Sequence, residues 1–76
     1  MKQMCIVIDS VETGKRIKKK LKENGYTVKD VQEVMGFNHS AAVYKWLSGK
    51  SMPSIDSLII LSRMLHTSID DLLYVA

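Results

Sequence analysis

The sequence predicts an all-α protein, a compact bundle of five short helices in one domain. Three observations predict it. Apolar residues recur every three or four positions along most of the chain, which is the spacing of one helical face. Residues of the helix-capping types precede these segments, and glycine or proline follows several of them. The 76 residues are 46% hydrophobic, which is enough for one helical core and too much for a disordered chain.

The first helix is predicted over residues 10–24. Asp9 and Glu12 have the spacing of a capping box, and Asn24 with Gly25 is a common helix end. Four positions are expected to face the core, with the glycine allowing close approach of a neighbour: Val11, Gly14, Ile17 and Leu21.

Residues 27–53 predict two short helices joined by a turn that contains Gly36. Thr27 and Asp30 have capping-box spacing at the start of the first, and valines and Met35 follow at helical spacing. The second helix is predicted over residues 40–48. It carries Val43, Trp46 and Leu47 on one face, so we expect Trp46 to be buried and the other residues to point outward. This arrangement predicts a helix-turn-helix with 40–48 as its recognition helix.

A fourth helix is predicted after the cap Ser54, with an apolar face broad enough for a central element of the bundle. A fifth should run from Ile69 to about Tyr74, capped by Thr67 or Ser68. Residues 1–9 are interpreted as an N-terminal arm and residues 10–76 as the helical domain. The apolar run of residues 4–8 predicts an arm that packs on the core or a strand that pairs with a second subunit.

Charge is distributed unevenly along the chain. The net charge is +3, with ten Lys/Arg against five acids in residues 1–50 and one against three in residues 51–76. Six of the eight residues from 15 to 22 are cationic, either as a solvated helix face or as a surface that approaches phosphates. The basic part therefore coincides with the predicted helix-turn-helix, which suits a polyanionic partner.

Other classes of protein are disfavoured by what the sequence lacks. One cysteine excludes an internal disulfide framework and a zinc-finger ligand set. No leader peptide and no membrane span is recognisable, so we expect a cytoplasmic protein. The two histidines, His39 and His66, have no carboxylate pair, nucleophile or phosphate-binding glycine loop beside them. We therefore expect no enzyme, no metal and no cofactor.

Three segments carry a resemblance to a known family: TVKDVQEVMG, YKWLSGKSMPSIDSL and SIDDLL. In this order and at these separations the chain resembles the Cro/phage-repressor (xenobiotic-response-element-like) helix-turn-helix family over roughly residues 13–74. The resemblance implies a lambda-repressor-like DNA-binding domain that binds double-stranded operator DNA as a homodimer and regulates transcription, most often as a repressor.

The chain departs from the family pattern in two places. Val43 is the seventh residue after Gly36, where the commonest pattern has it as the sixth, so Asn38 and His39 either cap the recognition helix or lie beside it. Leu21 and Leu47 occupy positions where many members have an arginine and a glutamate. An apolar contact would then replace that ion pair.

The resemblance also implies a set of DNA contacts. The residues implied to read bases are Asn38, His39, Ser40, Ala41, Tyr44 and Lys45. The residues implied to contact phosphates are Thr27, Lys29, Ser48 and Lys50. For Tyr44 an alternative is packing against the next helix.

A second class of function is a protein-interaction or antitoxin-type module in which DNA binding is secondary. The apolar run of residues 4–8 and the aliphatic last helix favour it. The two functions can coexist on one chain.

Overall fold

Within residues 6–76 the fold consists of five α-helices, and the prediction of an all-α bundle is confirmed. The computed structural model describes residues 6–76, so the first five residues of the expected arm lie outside the described part. The helices are α1 (Ser10–Glu23), α2 (Val28–Met35), α3 (Ala41–Ser48), α4 (Ile55–Met64) and α5 (Ile69–Leu72).

The helices begin where side-chain oxygens accept hydrogen bonds from backbone N–H groups. Asp9 Oδ1 accepts from the N–H of Glu12 at 3.0 Å, and Ser54 caps α4 in the same way. Ser68, rather than Thr67, caps α5. These bonds satisfy N–H groups that have no partner inside the helix.

The core lies where α1 crosses α3, which is the most extensive helix contact in residues 6–76. Gly14 of α1 is buried there, and Leu21 and Leu47 both join the hydrophobic cluster, as an apolar replacement for the family's ion pair requires. The buried apolar side chains come from all five helices and from Leu65: Ile17, Leu21, Val31, Val43, Trp46, Leu58, Leu61, Leu65 and Leu72.

Several apolar residues are not in this core. Val11, which was expected to face inward, is 48% exposed, and Ile55 on α4 is 74% exposed. The prediction that α4 is the central helix was wrong, because the most extensive contact between helices in residues 6–76 joins α1 to α3. The apolar face of α4 is wider than its neighbours cover, which leaves Ile55 and Ile59 at the surface.

The described part of the N-terminal arm pairs with the other end of the chain. Ile8 and Val75 form an antiparallel bridge. The N–H of Asp9 donates to the carbonyl oxygen of Tyr74 at 2.9 Å, and the N–H of Ala76 donates to that of Val7 at 2.8 Å. We call residues 6–8 and 74–76 the terminal ribbon. Residues 6–8 are exposed, so they do not pack on the core as expected, and α5 ends before Tyr74 because the chain turns into this ribbon.

Within residues 6–76 no helix combines the length and the apolar character that a membrane crossing requires.

Candidate nucleic-acid interface

Helix α3 has one buried face and one exposed face. Val43 and Trp46 are almost fully buried, and the indole of Trp46 packs edge-on against Phe37 with the ring centroids 5.8 Å apart. The expectation that Trp46 belongs to the core is confirmed by these contacts. Four residues at helical spacing lie on the opposite face and are exposed, namely Ala41, Tyr44, Lys45 and Ser48.

The connection between α2 and α3 is fixed by local hydrogen bonds. Gly36 has φ +74°, a left-handed conformation that a residue with a side chain rarely adopts. The backbone N–H of Phe37 donates to the carbonyl oxygen of Gln32 at 3.0 Å, and the side-chain amide of Gln32 donates to the carbonyl oxygen of Phe37 at 3.3 Å. These contacts hold the turn against the end of α2 and set the direction in which α3 leaves it.

The start of α3 has no side-chain cap. Ser40 occupies the N-cap position, but its hydroxyl makes no capping hydrogen bond. Asn38 and His39 are exposed and lie beside the helix start, so they do not cap it either. The first backbone N–H groups of α3 therefore have no side-chain partner within residues 6–76, and they form a weakly positive end that favours an anion.

A cleft of about 700 Å³ runs between this turn and α3. Its lining consists of Gly36, Phe37, Asn38, His39, Ala41, Ala42, Lys45 and Ser51. Four of the six residues expected to read bases are thus brought together around one open depression. Sequence reasoning missed Ser51, which lies beyond the helix-ending Gly49 and reaches the cleft because its N–H bonds back to the carbonyl oxygen of Lys45 at 3.3 Å.

The other two expected base-reading residues lie outside this cleft. Tyr44 lies on the opposite flank of α3 and is 58% exposed, so more than half of its surface remains accessible to solvent. Ser40 is half-buried at the helix start. The six residues therefore surround the exposed face of α3 from two sides and do not form one pocket.

Of the groups expected to contact phosphate near α2, the backbone N–H of Thr27 is already hydrogen-bonded to the carboxylate of Asp30. Thr27 and Asp30 form a complete capping box. The N–H of Thr27 donates to Asp30 Oδ2 at 2.8 Å, and Thr27 Oγ1 accepts from the N–H of Asp30 at 3.2 Å. Thr27 keeps its hydroxyl proton for an external acceptor, and Lys29 is exposed beside it. The carboxylate of Asp30 adds a negative charge at the same helix end.

At the end of α3, Ser48 and Lys50 differ in what they offer. The Ser48 hydroxyl donates to the carbonyl oxygen of Lys45 at 3.2 Å, so its proton is used within the helix. Lys50 is exposed and directly follows Gly49, whose φ of +80° ends the helix. Lys50 is therefore the better placed of the two for a phosphate.

The cations of α1 are not equivalent. Arg16 donates to the carbonyl oxygens of Asp71 and Leu73, both at 3.2 Å, and stacks on the ring of Tyr74. Its role is therefore to hold the C-terminal segment on α1. Lys15 pairs with Glu12 at 3.2 Å, and most of the remaining lysines of α1 are exposed.

The five-helix fold, the tight turn and the exposed face of α3 define a helix-turn-helix DNA-binding domain. The family model described as "Helix-turn-helix" matches residues 17–72, and the chain belongs to this Cro/C1-type family. It is a DNA-binding transcriptional regulator.

The fold also resembles a solved structure. The crystal structure of the restriction-modification controller protein C.AhdI from Aeromonas hydrophila superposes with a TM-score of 0.73. The two chains are 19% identical, and the match covers 84% of this chain and 96% of that one. No curated protein matches this chain in sequence.

Proposed function

We propose that this regulator reads a specific sequence in the DNA major groove with the exposed face of α3. The single observation that carries the proposal is the orientation of that helix. Val43 and Trp46 anchor it in the core, while Lys45 and Ala41 point to solvent beside an open cleft. The major groove accepts one α-helix, and only there do base edges distinguish all four base pairs.

Each base-reading residue has a chemically defined task in this proposal. Lys45 donates to guanine O6 and N7, and Ala41 offers its methyl group to the methyl group of thymine. Ser40 donates or accepts, and Asn38 and His39 hydrogen-bond to bases from the other side of the cleft. Tyr44 reaches a base or a phosphate from the opposite flank.

Phosphate contacts position the domain without reading sequence. We assign them to Thr27, Lys29, Ser48 and Lys50. Lys29 and Lys50 carry most of this attraction, because Ser48 donates only after its hydroxyl turns away from the Lys45 carbonyl oxygen. The uncapped start of α3 supplies additional backbone donors.

We further propose that the protein acts as a homodimer on two half-sites and that it represses transcription in the cytoplasm without catalysing a reaction. Few side chains read bases in one monomer, so a second half-site supplies the remaining specificity. Half-sites bound by a two-fold dimer lie about 34 Å apart, one turn of DNA. The structural neighbour is itself a controller protein, which agrees with a regulatory role.

The protein-interaction alternative has an observation of its own. Ile6, Val7 and Ile8 are exposed on the terminal ribbon, and they offer an apolar surface outside the DNA-reading face. This surface is compatible with DNA binding on the same chain.

The proposed function is tested by selecting binding sites from a random duplex library at two salt concentrations. Wild type should enrich one motif, and its affinity should fall steeply with salt. Lys45→Ala should lose the preference for a base pair at one position, at a cost of about 1–3 kcal/mol on the selected site.

The matched control is Lys50→Ala, which removes the same charge outside the base-reading face. It should weaken all sequences equally and reduce the salt slope by about 1. If Lys45→Ala also weakens all sequences equally, Lys45 contacts only phosphate. Enrichment of no motif by wild type would reject sequence-specific reading.

A further inference from the structure

The terminal ribbon leaves hydrogen-bonding groups unused along its edges. The two bonds between its strands flank the pair formed by Ile8 and Val75. In an antiparallel ladder this geometry makes Ile8 a non-hydrogen-bonded position, so its N–H and C=O point away from residues 74–76. Neither group has a backbone partner within residues 6–76. The same holds for Val75 on the opposite edge.

The ribbon is held firmly on the helical domain. The N–H of Tyr74 donates at 2.9 Å to the hydroxyl of Thr13, which is fully buried. Arg16 binds the carbonyl oxygens of Asp71 and Leu73 and lies 5.0 Å from the centre of the Tyr74 ring. Residues 74–76 are therefore held on the helical domain, and residues 6–8 are tied to them by the two hydrogen bonds of the ribbon, which reduces the entropy cost of pairing with a further strand.

The composition of the ribbon is unusual for a free edge. Proteins commonly protect edge strands with lysine, proline or bulges, and residues 6–8 and 74–76 contain neither charged side chains nor proline. The side chains of Ile6, Ile8 and Val75 share one face by the alternation of strands, and they are 58%, 43% and 54% exposed. An isolated two-stranded ribbon is marginally stable, so further pairing would stabilise it.

These properties favour a second copy of this chain as the partner. The side chains of residues 6–8 and 74–76 carry no positive charge, which disfavours DNA as the partner. An antiparallel edge is complementary to itself about a two-fold axis, since each strand presents the same donors and acceptors to its copy. Two chains of net charge +3 repel each other elsewhere, and this surface is uncharged. In the sequence Met4 and Cys5 precede Ile6, so the run of uncharged apolar residues that ends at this edge is five residues long.

We propose that the outer edge of residues 6–8 pairs with the same edge of a second copy. The pairing creates a four-stranded antiparallel sheet and a two-fold dimer. The inference rests on the proposed function, since reading two half-sites requires such a dimer, and it names the surface that forms it.

The test measures the dimer dissociation constant of the full chain by sedimentation equilibrium from micromolar to millimolar concentration. Ile8→Pro removes only the outward N–H, because the bonds within the ribbon use Asp9 and Val7. It should raise the dissociation constant about tenfold or more, since two symmetry-related bonds are lost. Val75→Pro makes the same change on the other edge and should leave the constant unchanged.

A second pair of variants keeps the test valid if a proline variant fails to fold. Ile6→Lys places like charges on the two strands that pair in the dimer and should weaken it about tenfold or more. Ile55→Lys adds the same charge to an exposed position of α4 and should have no effect. In the wild-type dimer the amide of Ile8 should exchange with solvent more slowly than that of Val75.

A monomeric wild type would overturn the proposal, as would Val75→Pro or Ile55→Lys weakening the dimer as much as their counterparts. Binding of each protein to a duplex with one selected half-site separates this inference from the proposed function. A monomeric wild type that binds the half-site rejects the ribbon interface and leaves the proposed function standing. A dimer that depends on residues 6–8 but binds no duplex supports the interface and rejects the proposed function.

Discussion

A Cβ atom on Gly14 would lie 2.7 Å from the carbonyl oxygen of Leu47. Helices α1 and α3 therefore cross in direct backbone contact, and the position of α3 depends on a residue without a side chain. The contact also involves the carbonyl oxygen of Trp46, so no side-chain movement could make room for a methyl group.

Gly14→Ala should therefore destabilise the protein by about 1–3 kcal/mol or more, as overpacking does. The direction of this change in stability is informative, because a glycine-to-alanine change inside a helix usually stabilises a protein by up to about 1 kcal/mol. Urea unfolding measures the free-energy difference. Gly25→Ala is the control: its Cβ would meet no atom within 4 Å, and its φ of +74° should cost only about 1 kcal/mol. A Gly14→Ala variant as stable as wild type would contradict this packing.

The buried hydroxyl of Thr13 should be required to hold the terminal ribbon. Thr13→Val keeps the volume but leaves the N–H of Tyr74 without its acceptor, at a cost of about 1–3 kcal/mol. Thr13→Ser retains the acceptor and loses only a methyl group. The amide of Tyr74 should exchange rapidly with solvent in Thr13→Val and slowly in Thr13→Ser. Equal protection in the two variants would show that the hydroxyl does not hold this strand.

The two aromatic residues of α3 should respond in opposite ways to truncation. Trp46→Ala removes a buried ring that packs on Phe37 and should cost about 3–5 kcal/mol of unfolding free energy. Tyr44→Ala should change stability by less than about 0.5 kcal/mol, because the side chain is exposed. It should nevertheless weaken binding to the selected DNA site. Unfolding curves and DNA titrations of both variants check the contrast, and a large loss of stability in Tyr44→Ala would place Tyr44 in the core.

Asp30 should weaken DNA binding while it stabilises α2. Asp30→Asn keeps an oxygen that accepts from the N–H of Thr27 but removes the charge next to the proposed phosphate contact. DNA affinity should rise roughly two- to fivefold, and stability should fall by about 0.3–1 kcal/mol because a carboxylate favours a helix N-terminus. The control is Glu33→Gln, which also removes one negative charge but at a later position of α2. If both variants tighten binding equally, only net charge matters and Asp30 has no local effect.

His66 should limit stability through its backbone. It follows α4 with φ +54°, a left-handed conformation that glycine adopts without cost. His66→Gly should therefore stabilise the protein by up to about 1 kcal/mol. Thermal unfolding measures the effect, with His66→Ala as the control that removes the imidazole and keeps the strain. Stabilisation by alanine alone would assign the effect to the ring instead.

Local sequence rules predicted much of the fold. Capping residues such as Thr27, Ser54 and Ser68 act on N–H groups two or three positions away, so the helix starts follow from neighbours in the chain. Spacing of Val43 and Trp46 likewise predicted which face of α3 is buried. Prediction failed where a residue's environment depends on a distant segment. Ile55 satisfies the helical pattern of α4, yet it is exposed because no element within residues 6–76 covers it.

The candidate DNA-binding surface likewise combines features that follow from neighbouring residues with features that depend on distant segments. Sequence alone determined the five helices, the left-handed turns at Gly36 and Gly49 and the exposed side of residues 41–48, because each follows from contacts within one or two helical turns. The tertiary structure decided that Ser51 lies beside Lys45, that Arg16 binds the C-terminal segment and that residues 6–8 pair with residues 74–76. Except for Ser51, these contacts join segments more than fifty residues apart, and periodicity within one helix carries no information about which distant segment lies against it.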